Sequence, residues 1–180
     1  DAAKRVNALA RLFRISISRG RELITIGDEM RHAESYLIIQ SFRYREQFTY
    51  SFDVDPELEG YLCNKITVQP LIENAIYHGI DRLVDEGKIE ISVKPADDGT
   101  DDIFIRVSDN GIGMTEEQCR AILSKSRSDS GGIGVKNVND RLRIYFGEQY
   151  GLTIKSEPDV GTTVTVRIPR ITDENGGKRI

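Results

Sequence analysis

The sequence predicts an α+β fold: a two-layer α/β sandwich with a mixed, mostly antiparallel sheet, entered from an N-terminal helical segment. Three observations lead there. Beyond residue 46, stretches with two-residue alternation are interspersed with stretches of helical period. Strand candidates are joined by turns of hairpin length, Asp97-Asp98-Gly99 and Pro158-Asp159-Val160-Gly161, which antiparallel neighbours use and parallel ones do not. A doubly wound parallel sheet would need helical crossovers at those places. Before residue 47 the pattern is helical, and 180 residues suit one domain or one domain with an appendage.

The elements follow in order. Val6, Leu9, Leu12, Phe13 and Ile15 recur at helical spacing with Arg5, Arg11 and Arg14 between them, which predicts an amphipathic helix. It is either a packing layer on the sheet or a stalk or dimer surface. Gly20 and Gly27 bracket a short extended or turn segment. Asp28 reads as the N-cap of a second helix running to about Arg45, with Met30, Ala33, Tyr36, Leu37, Ile39 and Gln40 inward. Gln47 to Val54 alternates as a strand, ended by Asp55-Pro56. Lys65 to His78 reads as a helix whose regular part begins near Gln69, because Pro70 fits only a first turn, and Gly79 reads as its C-cap. Lys88–Lys94 and the run ending at Asp109 are strands. Thr115-Glu116-Glu117-Gln118 is a capping box opening a helix to about Leu123. Residues 124–132 are small, polar and glycine-containing, which predicts a mobile loop. A helix from Gly134 to Phe146 turns Val135, Val138, Leu142 and Tyr145 inward. Strands Leu152–Ser156 and Thr162–Ile168 complete the sheet, Pro169 closes it, and 172–180 form a polar tail.

Composition excludes several classes. A net charge of −4, without a basic stretch interleaved with aromatics, argues against a nucleic-acid binder. Cys63 and Cys119 lack metal spacing and fit a reduced setting better than a disulfide framework. With only His32 and His78, a histidine-built metal site is not expected. No apolar run is long enough to cross a bilayer. The opening Asp1-Ala2-Ala3-Lys4-Arg5 lies inside a helical pattern, so the chain reads as a piece of a longer protein.

Three patches carry chemistry. Asp109-Asn110-Gly111-Ile112-Gly113-Met114 follows a strand. It reads either as ordinary turn chemistry or as a carboxylate that accepts a hydrogen bond from an exocyclic amine such as adenine's, with glycines letting the backbone approach a flat ring. Glu73-Asn74-Ala75-Ile76-Tyr77-His78 puts Glu73, Asn74, Tyr77 and His78 on neighbouring sides of one helix. That is either a polar face or a site where Asn74 offers Mg²⁺ a neutral oxygen and Glu73 activates a nucleophile. Gly131-Gly132-Ile133-Gly134 precedes a helix, where backbone N–H groups can meet an anion; it matches neither a P-loop nor a Rossmann fingerprint.

In this order the three patches resemble the ATP-binding domain of the GHKL superfamily (gyrase, Hsp90-type chaperones, histidine kinases, MutL), whose architecture is the Bergerat-type ATP-binding fold. Glu73-Asn74 resembles the N box, Asp109 with Gly111 and Gly113 the G1 box, and Gly132 with Gly134 the G2 box; residues between G1 and G2 would be the ATP lid. Gly161-Thr162-Thr163-Val164 resembles the late motif whose threonine, here Thr162, supports the adenine pocket. Val68-Gln69-Pro70-Leu71-Ile72-Glu73-Asn74-Ala75-Ile76-Tyr77-His78-Gly79 and the run Gly132 to Leu142 are similar to sensor histidine kinases of the LytS/YesM-like subclass. Tyr77 stands where these kinases usually carry Lys or Arg, so the charge that would meet phosphate must come from elsewhere, with Arg141 or Lys136 as candidates.

The resemblance implies an ATP-dependent protein-histidine kinase of a two-component system. Residues 1–46 would be the C-terminal part of the dimerisation and phosphotransfer helices, and 47–171 the catalytic domain. ATP and Mg²⁺ would be its cofactors, with Glu73 catalytic, Asn74 the Mg²⁺ ligand, and Asn74, Tyr77, His78, Asp109, Gly111, Gly113, Gly132, Gly134 and Thr162 around the nucleotide. Partners would be a response-regulator receiver domain and a second copy through the N-terminal helices. The parent would be a membrane-anchored bacterial protein with this domain in the cytoplasm. His32-Ala33-Glu34-Ser35-Tyr36 lacks both acceptor settings known for these kinases, so His32 is expected to be a surface or interface histidine, with the acceptor upstream of residue 1. The same pocket serves two alternatives, a serine-kinase anti-sigma switch and a degenerate nucleotide-gated module. The Gln69 to Asn74 context disfavours the first, and Tyr77 keeps the second open.

Overall fold

The computed structural model describes residues 2–17, 22–45, 47–83, 85–124 and 133–172. Helix α1 (Ala2–Ile17) and helix α2 (Ile26–Arg43) pack side by side. Arg5 lies over the Phe42 ring, 3.7 Å from its centroid, so the start of α1 meets the end of α2 and the pair is antiparallel. Among the described side chains of α1 only Ala8 is buried, while Val6, Leu9 and Phe13 stay exposed. This helix therefore rests on α2 rather than on the sheet. The short strand β1 (Leu23–Thr25) feeds α2, whose cap is Thr25 rather than the expected Asp28: the Thr25 hydroxyl accepts the Asp28 N–H at 3.1 Å. Asp28 sits in the first turn, where it pairs with Arg31.

Alternation fixes the main sheet. Strands β2 (Phe48–Val54), β4 (Gly87–Pro95), β5 (Asp102–Asp109), β7 (Gly161–Pro169) and β6 (Gly151–Glu157) lie in the order β2-β4-β5-β7-β6. Among the described strands of this sheet only the β2–β4 pair is parallel. Ile89, Ile91 and Val93, Ile103, Ile105 and Val107, and Val164, Val166 and Ile168 all point to one face and are buried. The opposite face carries Lys88, Glu90, Arg106, Thr165 and Arg167. A one-residue slip in any of these strands would turn its whole apolar set outward, so the register is strongly specified.

The covering layer is helical. Helix α3 (Gln69–Asn74) supplies Leu71 and Ile72, and α5 (Ile133–Phe146) supplies Val135, Val138 and Leu142. Tyr145, expected inward on α5, is 41% exposed, one step off the buried stripe. Ile39 of α2 is only half-buried. Each fully buried aliphatic chain here contributes roughly 1.5–3 kcal/mol over leaving it in water. Helix α4 (Glu116–Ser124) opens with the expected capping box. Gln118 N–H donates to Thr115 Oγ1 and Thr115 N–H to Gln118 Oε1, at 3.3 and 2.8 Å. Strand β3 (Leu62–Asn64) pairs antiparallel with β1 in a separate ribbon; it has no counterpart in the sequence reading.

The helix expected over residues 65–78 is shorter and changes type. Pro70 lies in its first turn as predicted. After Asn74 the chain widens into a π-helical turn, Ala75–Gly79, and then tightens into a 3₁₀ turn, Ile80–Arg82. Such widened turns concentrate at functional sites. Gly79 is not a left-handed cap, since its φ is −96°.

Candidate functional site

Asp109 is the centre of the site. It ends β5, backbone-paired to Ile89 and Thr162 on either side. Its carboxylate accepts the Gly111 N–H at 2.8 Å, and the Thr162 backbone N–H also favours its charged form. Glycine backbone closes on it. A Cβ on Gly79 would lie 2.6 Å from Asp109 Oδ1, and one on Gly111 would lie 2.3 Å from the Gly79 Cα. A Cβ on Gly161 would strike the Asp109 carbonyl at 2.0 Å. Burial pushes the Asp109 carboxyl up to about 6, against the two backbone donors that hold it down.

The loop after Asp109 is fastened on both sides. Ile112 N–H donates to the Gly79 carbonyl at 3.3 Å, tying it to the end of the π turn. Asp159 N–H donates to the Ile112 carbonyl at 2.8 Å, tying it to the β6–β7 hairpin. Gly113 needs to be glycine twice over: its φ is +66°, and a Cβ would lie 1.9 Å from the Glu157 carbonyl oxygen. Ser156, which the sequence did not single out, is the hub on the hairpin side. Its hydroxyl accepts the Met114 N–H at 2.8 Å, and lies 2.9 Å from the Gly161 carbonyl and 2.8 Å from Thr162 Oγ1. Asn110 turns away from the site: its Oδ1 accepts the Lys88 N–H and its Nδ2 donates to the Glu86 carbonyl.

The second patch runs along α3 into the π turn. Asn74 is buried, and its Oδ1 has no hydrogen-bond partner. A buried, unpartnered carbonyl oxygen is costly unless a ligand completes it, which suits a hard cation. Glu73 is half-buried, and its Oε1 accepts from Gln69 Nε2 at 3.0 Å. The Tyr36 hydroxyl of α2 is within hydrogen-bonding reach of the same carboxylate; burial first, then Glu73, pushes the Tyr36 phenol up. His78 and Tyr77 are exposed. Tyr77 accepts from Arg43 Nη1 at 3.1 Å. Arg43 at the end of α2 is thus the cation beside Tyr77. The two candidates weighed from sequence are engaged elsewhere: Arg141 donates to the Ile66 carbonyl and Lys136 pairs with Asp140.

The third patch is described only at its end. Gly131 and Gly132 lie outside the described residues, as does the part of the expected lid over residues 125–131. Gly134, in the first turn of α5, faces Pro70: a Cβ there would be 3.2 Å from the Pro70 Cβ. So the helix bearing Glu73 and Asn74 is flanked by Asp109 and Gly111 at its C-terminal end and by Gly134 at its N-terminal end. Glu73, Asn74, Tyr77, Asp109, Gly111, Gly113, Gly134 and Thr162 all stand on elements that meet around α3 and the π turn.

His32 is not where sequence placed it. It is 1% exposed, with Nε2 2.9 Å from Gln69 Oε1 and Nδ1 unpartnered. A phosphate acceptor has to be reached by solvent and by a nucleotide, and a ring enclosed between α2 and α3 is not.

Comparisons with known proteins place the chain in a family. Residues 64–172 match the family described as histidine kinase-, DNA gyrase B- and HSP90-like ATPase, and residues 1–48 match a histidine kinase family. The chain is 36% identical to the sensor histidine kinase YesM of Bacillus subtilis over 167 residues, covering 93% of this chain and 27% of that protein. It is 31% identical to the sensor histidine kinase BtsS of Escherichia coli, covering 94% of this chain and 28% of that protein. It therefore spans about a quarter of the length of these curated relatives. Among solved structures, the histidine kinase domain of the Erythrobacter litoralis EL346 blue-light activated histidine kinase superposes with a TM-score of 0.59 at 16% identity, over 93% of this chain and 74% of that one. That likeness establishes the α+β sandwich. The family match extends over more than half of the chain and contains Asn74, Asp109 and Thr162, and on that ground this protein belongs to the histidine kinase-, DNA gyrase B- and HSP90-like ATPase family.

Proposed function

We propose that this chain is the ATP-binding catalytic domain of a two-component sensor histidine kinase, joined to part of its helical stem. The observation that carries the proposal is the convergence at α3: a desolvated carboxylate at Asp109, an unpartnered amide oxygen at Asn74 and a held carboxylate at Glu73 on elements in mutual contact. Residues 1–46 are the C-terminal part of the dimerisation and phosphotransfer helices, 47–171 the catalytic domain and 172–180 a tail.

Each residue has a role in this reading. Asp109 accepts the exocyclic amine of adenine, and Gly111 and Gly113 let the backbone lie against the ring. Thr162, braced by Ser156, holds that wall. Asn74 Oδ1 takes a place on Mg²⁺, and Tyr77, His78, Gly132 and Gly134 line the phosphate side. Glu73 accepts or orients the proton of an incoming imidazole. Bound Mg·ATP supplies the γ-phosphoryl group and the metal neutralises its oxygens, so the protein's part is positioning and charge stabilisation. The phosphoryl group then passes from a histidine upstream of residue 1 to an aspartate of a response-regulator receiver domain. The parent is a homodimer through its N-terminal helices and anchored in a bacterial membrane, with this domain on the cytoplasmic side; no helix among the described residues is itself long and apolar enough to cross one.

Titration calorimetry with ATP and GTP, each with and without Mg²⁺, tests the pocket: ATP binds, Mg²⁺ tightens it, and GTP does not compete. Phosphotransfer from the full-length parent to a receiver domain tests the activity. Incubated alone with Mg·ATP, the 180-residue chain gains no acid-labile, base-stable phosphate. Such a phosphate on His32 would overturn the placement of the acceptor.

A further inference from the structure

Four residues on one stripe of α2, Glu29, His32, Tyr36 and Arg43, each meet a successive point along the segment that carries Glu73 and Asn74. Both Glu29 oxygens are used at its entrance: Oε2 accepts the Ile66 N–H at 3.0 Å, and Oε1 accepts those of Thr67 and Val68 at 2.7 and 2.9 Å. One turn on, His32 Nε2 is 2.9 Å from Gln69 Oε1. Next, Tyr36 lies near the Glu73 carboxylate, which after burial pushes its phenol up. Last, Arg43 Nη1 donates to the Tyr77 hydroxyl at 3.1 Å. The spacing 29, 32, 36, 43 on α2 against 69, 73, 77 opposite is that of two helices meeting face to face along their i, i+4 rows.

The direction of the middle rung follows from chemistry. An ionised carboxylate only accepts, so Gln69 must turn its NH₂ toward Glu73, where Nε2 sits 3.0 Å from Oε1. That leaves its carbonyl oxygen facing His32. His32 Nε2 must therefore carry the proton and donate. The chain reads His32 Nε2–H to Gln69 Oε1, then Gln69 Nε2–H to Glu73 Oε1. His32 itself is held, since it is 1% exposed and neighbours the fully buried Glu29. With Glu73 charged, every pattern that satisfies these three contacts keeps a proton on His32 Nε2.

We infer that Gln69 and His32 are positioning residues for Glu73, so that the orientation of the catalytic carboxylate is set from the stem helix α2 and not only from its own helix. This rests on the reading of Glu73 as the proton acceptor. Without His32 the Gln69 amide loses the partner that fixes its flip, and Glu73 loses a fixed donor while keeping Tyr36. A general base contributes about 10²–10⁴-fold, and misplacing it by about 1 Å can forfeit roughly 10²-fold.

The test is a double-mutant cycle in the full-length protein, reading kcat and KM for ATP in autophosphorylation. His32→Phe is expected to lower kcat about 10- to 100-fold and to leave KM within about twofold, because nothing in the chain touches the adenine side. His32→Gln, which restores an N–H donor at that place, is expected to recover most of the rate. In a Glu73→Gln background, His32→Phe should cost no further rate; a merely structural role would cost the same in both backgrounds. Should His32→Phe fail to fold, Gln69→Met cuts the same chain with less loss of packing. A nucleotide-free readout runs beside these: the ¹⁵N spectrum of the His32 ring in this chain should show a protonated Nε2 that Gln69→Met makes exchange faster. If Glu73→Gln loses activity and both His32→Phe and Gln69→Met keep it, the inference fails and the base assignment stands. If Glu73→Gln keeps activity, both fall. A bare Nε2 overturns the inference by itself.

Discussion

Replacing Asp109 by Asn should make the nucleotide-free protein more stable and unable to hold ATP. The carboxyl is raised from the usual aspartate value of 3.8 to about 6, and the largest cause is burial. The sign follows from proton binding. Between those two values the folded protein holds a proton that the unfolded chain has released, so stability falls as pH rises from about 4 to about 6 and stays lowered above that. At about 1.4 kcal/mol per pH unit the interval corresponds to about 3 kcal/mol. Asn carries no charge to desolvate and keeps an oxygen for the Gly111 N–H, so Asp109→Asn regains up to that amount at pH 8. For a domain of this size that is a rise in Tm of several degrees, with about 10 °C as the ceiling. The gain should shrink as pH is lowered through 6 and vanish near 4, where the wild-type group is neutral too. Binding moves the opposite way. Asn turns its NH₂ toward the adenine amine, so a charge-assisted hydrogen bond worth roughly 1.5–3 kcal/mol is replaced by two facing donors, and Kd for ATP rises at least about 10- to 100-fold. Scanning fluorimetry from pH 4.5 to 8, with and without Mg·ATP, reads both effects. A Tm that drops at pH 8, or a gain that does not depend on pH, would refute the burial argument; unchanged ATP affinity would remove Asp109 from the adenine site.

Other substitutions probe the remaining parts. Asn74→Ala should abolish the Mg²⁺-dependent increment in ATP affinity while leaving Mg²⁺-free binding within about twofold, as read by calorimetry. Glu29→Ala strands three backbone N–H groups at the entrance of α3. At about 1–3 kcal/mol each it should cost about 3 kcal/mol or more, seen as a drop in the urea midpoint. Gly113→Ala and Gly99→Ala form a control pair, both at positive φ. Gly99 faces open space and should lose only about 1–2 kcal/mol, whereas a Cβ on Gly113 meets the Glu157 carbonyl. Gly113→Ala should therefore separate the loop from the hairpin and lose ATP binding along with stability.

Much of the sheet was legible because its strands bury one face. The runs Ile89/Ile91/Val93 and Ile103/Ile105/Val107 alternate cleanly, and the chemistry of a turn after Asp109 is local. So is the capping box at Thr115. Where the reading failed, the deciding partner was distant. Strand β3 is three residues long, buried throughout, and exists because Leu23–Thr25 lies beside it. Thr25 lost to Asp28 as the cap because Gly27 argued against a helix there; Gly27 is tolerated since it packs against Glu59. His32 was expected at a surface or interface because its surroundings match no acceptor motif, yet it is buried, with Gln69, 37 positions away, 2.9 Å from its Nε2. The π turn has no sequence signature at all. Gly79 ends it, and the missing side chain lets the Asp109 carboxylate and Gly111 pack against its backbone.

On the proposed reading of Asp109 as the adenine acceptor, the same enclosure makes selectivity and instability share one residue. A carboxylate closed in by Gly79 and Gly111 has given up water for backbone donors, and burial still holds its pKa above the ordinary aspartate value. The shortfall is recovered only by a ligand that brings a further donor to the right edge. Adenine brings an amine there. Guanine brings a carbonyl, which would face the charge and leave it unpaired, and discrimination of that kind rests on an unsatisfied buried polar group rather than on shape. Relaxing the enclosure, for instance by a substitution that admits water beside Asp109, should then raise apo stability and narrow the preference for ATP over GTP together. A variant that gained the first without losing the second would separate the two and show that the pocket discriminates by fit.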